Sequence, residues 1–192
     1  MTATTTIGNG RRRNGLRPFV WGAAGCVLLL PAVAMQFFPD SGVNWTGIDF
    51  LAMGLLLSTA CGLYELGAWA SDNRFYRAGF GIAALVAFLT AWVNLAVGML
   101  GDEDNGANWM FVGVLSIAAA GALIAKMKPS GMARAMVAAA IAQLAAVGVA
   151  LAMGGFEALE LGLTACFALP WLAAAQLFRK AAQDRLRAAT PG

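Results

Sequence analysis

Long uncharged stretches alternate with short charged ones along the whole chain, and the charges are sorted by sign. The thirteen Lys and Arg residues form four clusters: Arg11, Arg12, Arg13 and Arg17; Arg74 and Arg77; Lys126, Lys128 and Arg134; and Arg179, Lys180, Arg185 and Arg187. The uncharged stretches are 18–39, 50–64, 78–101, 105–125, 135–156 and 161–178. A helix that crosses a bilayer needs roughly 20 apolar residues, and five of the six stretches meet or approach that length. In hydrocarbon every backbone polar group must be satisfied within a helix or a closed barrel. Barrel strands alternate apolar and polar residues, and these stretches do not. The chain therefore reads as all-α, an integral membrane bundle of six transmembrane helices. The spans are expected at about 18–38, 46–70, 78–100, 107–126, 133–154 and 159–179.

The gaps between the basic clusters carry acids instead: Asp40, then Asp102, Glu103 and Asp104, then Glu157 and Glu160. By the positive-inside rule the basic segments are cytoplasmic, which puts both termini in the cytoplasm. Residues 1–17 read as a disordered basic tail and 180–192 as a basic cytoplasmic tail. Segment 18–179 is the membrane domain. Arg11 to Arg17, an apolar stretch and Ala32-Val33-Ala34 have the outline of a signal peptide with a cleavage site. The apolar run continues through Phe37 and Phe38, longer than a usual signal core, so a retained first helix is expected.

Composition excludes much chemistry. Hydrophobic residues make up 60% of the chain and charged residues only 12%, against about a quarter charged in soluble domains. There is no histidine, which removes His-ligated haem, His-containing zinc sites and Ser-His triads. Cys26, Cys61 and Cys166 sit in three different spans and form no C-x-x-C pair. No phosphate-binding loop, dinucleotide fingerprint or nucleophile elbow is present. The bases are dispersed, so nucleic-acid binding has no support. No cofactor and no enzymatic activity are expected.

The second span is too short for its charges. Fifteen uncharged residues separate Asp49 from Glu65. That is about 22 Å of helix against a hydrocarbon core of roughly 30 Å. Asp49 follows Trp45, an interfacial anchor, so Glu65 is the acid expected inside the boundary. An ionisable residue within a span is a functional hypothesis with a partner to be named, and Arg74 and Arg77 lie across the next turn. The plainer reading is an interfacial ion pair that locks spans two and three. The functional reading is a carboxyl that exchanges protons or binds a cation.

Three small or polar helix faces recur at intervals of three or four. They are Gly54, Ser58, Cys61 and Glu65; Ala83, Ala87, Thr90, Asn94 and Gly98; and Ala139, Gln143, Ala146 and Ala150. They are expected either to line a narrow polar seam or to act as ordinary small-residue packing faces, with Asn94 and Gln143 as hydrogen-bonding glue. Gln143, at mid-span, should point inward, and Asn94 should lie nearer the outer surface. Asp102, Glu103 and Asp104 form an acidic turn that attracts cations weakly without the spacing of a calcium loop. Asp104 or Asn105 is placed to cap the fourth helix. Pro31 and Pro170 are expected to interrupt the first and last spans.

Asn44-Trp45, Asp49-Phe50, Tyr64-Glu65, Tyr76-Arg77, the stretch Trp92 to Gly98, Gly101 with Glu103-Asp104-Asn105, and Gly131-Met132-Ala133-Arg134 together resemble an uncharacterised family of small six-span bacterial inner-membrane proteins. The resemblance covers roughly residues 44 to 134. The pattern has a proline after the Glu-Asp-Asn triplet where this chain has Gly106. The resemblance implies a bacterial inner-membrane address and no particular activity. The expected role is an accessory or structural subunit of a membrane complex, with the bilayer and a membrane-protein partner or second copy as its contacts. The alternative is a small transporter or channel for protons or a small cation, using Glu65, Asn94, Gln143, Asp49 and Arg77.

Overall fold

The structure is a computed structural model and describes residues 15–189; the Arg11–Arg13 cluster and the last three residues lie outside them. Among the described residues there are seven α-helices and no strand: α1 (Arg17–Phe37), α2 (Gly47–Ala70), α3 (Arg74–Ala96), α4 (Trp109–Ile124), α5 (Pro129–Met153), α6 (Ala158–Cys166) and α7 (Ala168–Ala189). Helices α6 and α7 follow one another through a single residue and act as one span, giving six helices long and apolar enough to cross a membrane. The break between them has a local cause. Pro170 has no N–H for the carbonyl of Cys166, and its ring crowds that carbonyl. Pro31 lies inside α1, which nevertheless stays continuous. The last helix runs ten residues beyond the span expected to end at 179, so most of the expected C-terminal tail is helical.

Polar side chains set the helix starts. Thr46 caps α2 in a reciprocal box with Asp49: its N–H donates to Asp49 Oδ2 at 2.7 Å, and its hydroxyl accepts from the Asp49 N–H. Asn73 accepts from the N–H groups of Phe75 and Tyr76 at the start of α3. Its amide also donates to Asp184 of α7 at 2.8 Å. Glu157 and Glu160 form a second box at α6. Asn105, one of the two residues expected to cap the fourth helix, instead caps the short 3₁₀ turn Gly106–Asn108 that leads into α4, and α4 itself begins without a side-chain cap.

The core lies among α3, α4, α5 and α7. Helix α7 packs between α3 and α5, α4 rests on α5, α2 on α3, and α1 on α2. Tyr76, Phe80 and Phe178 form an aromatic cluster, with the Tyr76 and Phe178 rings 5.2 Å apart and edge to face. Along α5 and α7, Ala139, Ala150, Ala174 and Ala181 are completely buried. Small residues let backbones come close where no hydrophobic drive exists between helices in lipid. A Cβ on Gly121 would stand 2.6 Å from Ala135 Cβ, so α4 and α5 nearly touch there.

The outside is apolar. Helix α1 has no buried residue, and Phe19, Leu29, Ile48, Leu51, Leu55 and Trp69 are all widely exposed. Such a continuous apolar surface is excessive for a protein in water and suits hydrocarbon. Contacts sort the loops to two ends. Gly101 N–H with Glu160, and Thr164 with Met99 O, join the α3–α4 and α5–α6 connections at one end. Asn73 with Asp184, and Tyr76 with Met127 O, join elements at the other. The described Lys and Arg residues all belong to the second, basic end. The first end carries Asp40, Asp49, Asp102, Glu103, Asp104, Glu157 and Glu160.

Candidate functional site

Glu65 lies five residues before the end of α2, about 7 Å along the axis, on the face turned to α1. Arg17 Nε stands 2.8 Å from Glu65 Oε1, and the Trp21 indole N–H donates to the same oxygen at 2.5 Å. The Arg17 side chain is 66% exposed and that of Glu65 29%, so the pair belongs to the membrane boundary. One turn earlier, the buried Cys61 lies with its thiol 4.0 Å from Val20 O. Gly54 and Ser58 continue the face and share a crevice of about 170 Å³ with Trp21, Ala24, Gly25 and Leu28.

This corrects two expectations. The cation beside Glu65 is Arg17 of the first span; Arg74 instead stands over the Phe75 ring, 4.8 Å from its centre. Arg77 lines a wide cleft at the basic end with Tyr64 and Asp72. In addition, the face Gly54–Ser58–Cys61–Glu65 does not meet the small faces of α3 and α5, because it is the seat of α1. The reason is angular. Leu56, Ala60, Leu63 and Gly67 lie on the opposite side of α2 and turn toward α3, where Gly67 sits directly against Phe80. One helix cannot present a single small face to two neighbours. The α3 face also fails to find polar company, since Ala83 and Ala87 border an apolar hollow of about 290 Å³ shared with Phe88, Ala118 and Met136.

Gln143 points inward as expected and is fully buried; its amide donates to Thr164 O at 3.0 Å. The Thr164 hydroxyl donates to Met99 O at 2.8 Å. From there Asn108 takes over: its Oδ1 accepts from Met99 N–H and Leu100 N–H, and its amide donates to Leu100 O and Asp102 O. This network stitches α5, α6 and the α3–α4 connection together at the acidic end. Gly98 and Gly101 make the connection possible with φ of 77° and 69°, a region where only glycine is unstrained. Asn108 went unnoticed in the sequence; its signal is a short amide inside an otherwise apolar helix start. Among the described residues, four buried side-chain atoms have no hydrogen-bond partner: Thr90 Oγ1, Asn94 Oδ1, Gln143 Oε1 and Trp171 Nε1.

Asp49 is exposed and serves the α2 cap. The fold also brings it together with Glu103, in a cleft of about 340 Å³ bordered by Trp45 and Trp92. Asp102, Glu103 and Asp104 are exposed on their turn. Among the described residues no group of three His, Cys, Asp or Glu side chains is placed to hold a metal ion. Comparison with protein-family models, curated proteins and solved structures finds no match to the chain.

Proposed function

We propose that this chain is an integral protein of the bacterial inner membrane that serves as an accessory or structural subunit of a membrane complex, with its basic end in the cytoplasm. The observation that supports this most is how its intramembrane polar groups are used. Glu65 is taken up by Arg17 and Trp21, and Gln143 by Thr164. The face of α2 that carries Glu65 is occupied by α1. Each contact is local and joins one helix to the next, which is what a scaffold needs. The orientation rests on the segregation of bases from acids between the two ends. The partner surface is the α1 side of the bundle, where no residue of α1 is buried by the rest of the chain.

A second reading, a small transporter or channel, draws on the unpartnered atoms of Thr90, Asn94, Gln143 and Trp171, since buried polar groups without partners are costly unless something visits them. Two measurements separate the readings. Purification from the native membrane in mild detergent, followed by cross-linking and mass spectrometry, should recover a stoichiometric membrane partner. Reconstituted proteoliposomes should pass no protons, sodium or potassium above protein-free vesicles. Ion flux that vanishes in a folded Glu65→Gln variant would overturn the accessory reading in favour of transport.

A further inference from the structure

Three elements converge on one cleft at the acidic end. The start of α2 contributes Trp45 and Asp49, the end of α3 contributes Trp92 and Leu95, and the α3–α4 connection contributes Glu103. The hollow among α2, α3, α4 and α5 contains no carboxylate, and the hollow beside α6 brings Glu157 and Glu160 against aliphatic walls with one phenyl ring and no indole. This one combines two carboxylates with two indoles.

Asp49, Trp45 and Trp92 are held in place before any ligand arrives, and Glu103 stands exposed beside them. Thr46 binds Asp49 through its N–H and its hydroxyl, and both contacts fall on the same oxygen, Oδ2. The other carboxylate oxygen is left outside the cap. The Trp45 ring is fixed edge-on by Phe50, with centroids 5.2 Å apart, and its backbone N–H reaches Met35 Sδ. The Trp92 ring stacks on Phe88 at 5.9 Å. No Lys or Arg lies at this end among the described residues, while Asp40, Asp102, Asp104, Glu157 and Glu160 belong to the same end and add to its negative charge.

The chemistry of the walls selects a class of ligand. An anion is repelled. An uncharged apolar molecule would strip water from two carboxylates and return nothing. A calcium ion prefers six to eight oxygen ligands, which a wall shared with indole and aliphatic carbon does not supply. An organic cation is attracted by both halves: indole faces draw a cation through the ring quadrupole, and the carboxylates neutralise it. We infer that this cleft binds an alkylammonium group. The group belongs either to an aminophospholipid headgroup of the adjoining leaflet or to a small soluble amine.

The test uses the full chain carrying 5-fluorotryptophan, in nanodiscs of phosphatidylglycerol alone, which contain no amine. Tetramethylammonium chloride is titrated against sodium chloride of equal ionic strength, and the six indoles are followed by fluorine NMR. The expected result is a saturable shift of the Trp45 and Trp92 resonances, with Trp21, Trp69, Trp109 and Trp171 unmoved. Glu103→Gln, an exposed change that leaves the helices intact, should weaken binding about three- to tenfold, and Trp92→Leu should weaken it further. Repeating the titration with phosphatidylethanolamine in the disc assigns the source. A raised apparent Kd supports the lipid headgroup, and an unchanged Kd supports a soluble amine. Shifts no larger than those with sodium, shifts spread over all six indoles, or shifts unaffected by both substitutions would overturn the inference.

Discussion

Removing the Glu65 carboxylate should loosen the first helix from the bundle and leave the rest in place. Nothing in α1 is buried, so its attachment depends on few contacts. Two point charges about 4 Å apart interact by roughly 1 kcal/mol in water and about 4 kcal/mol at an effective dielectric of 20. With Arg17 two-thirds exposed the lower figure governs, and fixing a long side chain subtracts from it. A net value of about 0.5–1 kcal/mol remains for the ion pair. The Trp21 hydrogen bond to a charged acceptor adds about 1 kcal/mol or more. Glu65→Leu removes both and should cost α1 docking about 2 kcal/mol, a rise of about thirtyfold in the undocked population. Glu65→Gln keeps an acceptor for the indole and should cost about half as much. The native thiols permit a direct assay. Cys26 of α1 and Cys166 of α6 are exposed and Cys61 is buried, so a Cys61→Ala protein takes spin labels at the first two alone. Electron–electron resonance should give one narrow distance in the parent, a broadened distribution in Glu65→Leu and an intermediate one in Glu65→Gln. An unchanged distribution in Glu65→Leu, or a double-mutant cycle that couples Glu65 to Arg74 or Arg77 and not to Arg17, would refute the reasoning.

Other changes test the packing and the acidic-end network. Gly67→Ala places a methyl group 2.6 Å from Phe80 Cβ, so the ring or the helix must shift. It should destabilise by about 1–3 kcal/mol in mixed-micelle unfolding, whereas Gly62→Ala, with nothing near, should be neutral or slightly stabilising. Asn108→Ala removes four hydrogen bonds to the α3–α4 connection and leaves buried backbone groups unpaired. A loss of about 2–4 kcal/mol is expected, together with faster proteolysis within 98–106. Gln143→Leu should be nearly neutral, within about 1 kcal/mol, because it deletes an unpartnered Oε1 along with the bond to Thr164 O. A large loss there would mean that the amide has a partner of its own.

Much of this architecture was legible in the chain. The alternation of uncharged stretches and sorted charges led to six long apolar helices, which the structure has, because helix length and bilayer thickness leave little freedom; the last of them runs to Ala189, ten residues past its expected end. Asn105 and Gln143 were placed by elementary needs, one at the turn leading into α4 and the other at mid-span. The partner of Glu65 was not legible. Arg74 and Arg77 are nearer in sequence, but which neighbour faces Glu65 depends on the rotation of α2, and that is set by Gly67 fitting against Phe80. A list of small faces shows where close approach is possible and not which helix makes it. For the same reason the meeting of Asp49 with Glu103 was invisible, since it depends on how the turn after α3 folds back over Asn108. The break at Phe167 was half visible: Pro170 announced it, while the equally plain Pro31 left α1 continuous.

The central claim is that α1 closes the polar face of α2 around the buried Cys61, so that no water path leads from the Glu65–Arg17 pair at the basic boundary through the bundle. Cys61 reports on this directly, one turn from Glu65 on the same face. In sealed vesicles of a Cys26→Ala, Cys166→Ala protein, a charged thiosulfonate applied to either side should leave Cys61 unmodified until the membrane is dissolved and the protein unfolded. Modification of Cys61 in the intact membrane at a rate approaching that of a free thiol would contradict the account and restore a water-filled polar seam through the bundle.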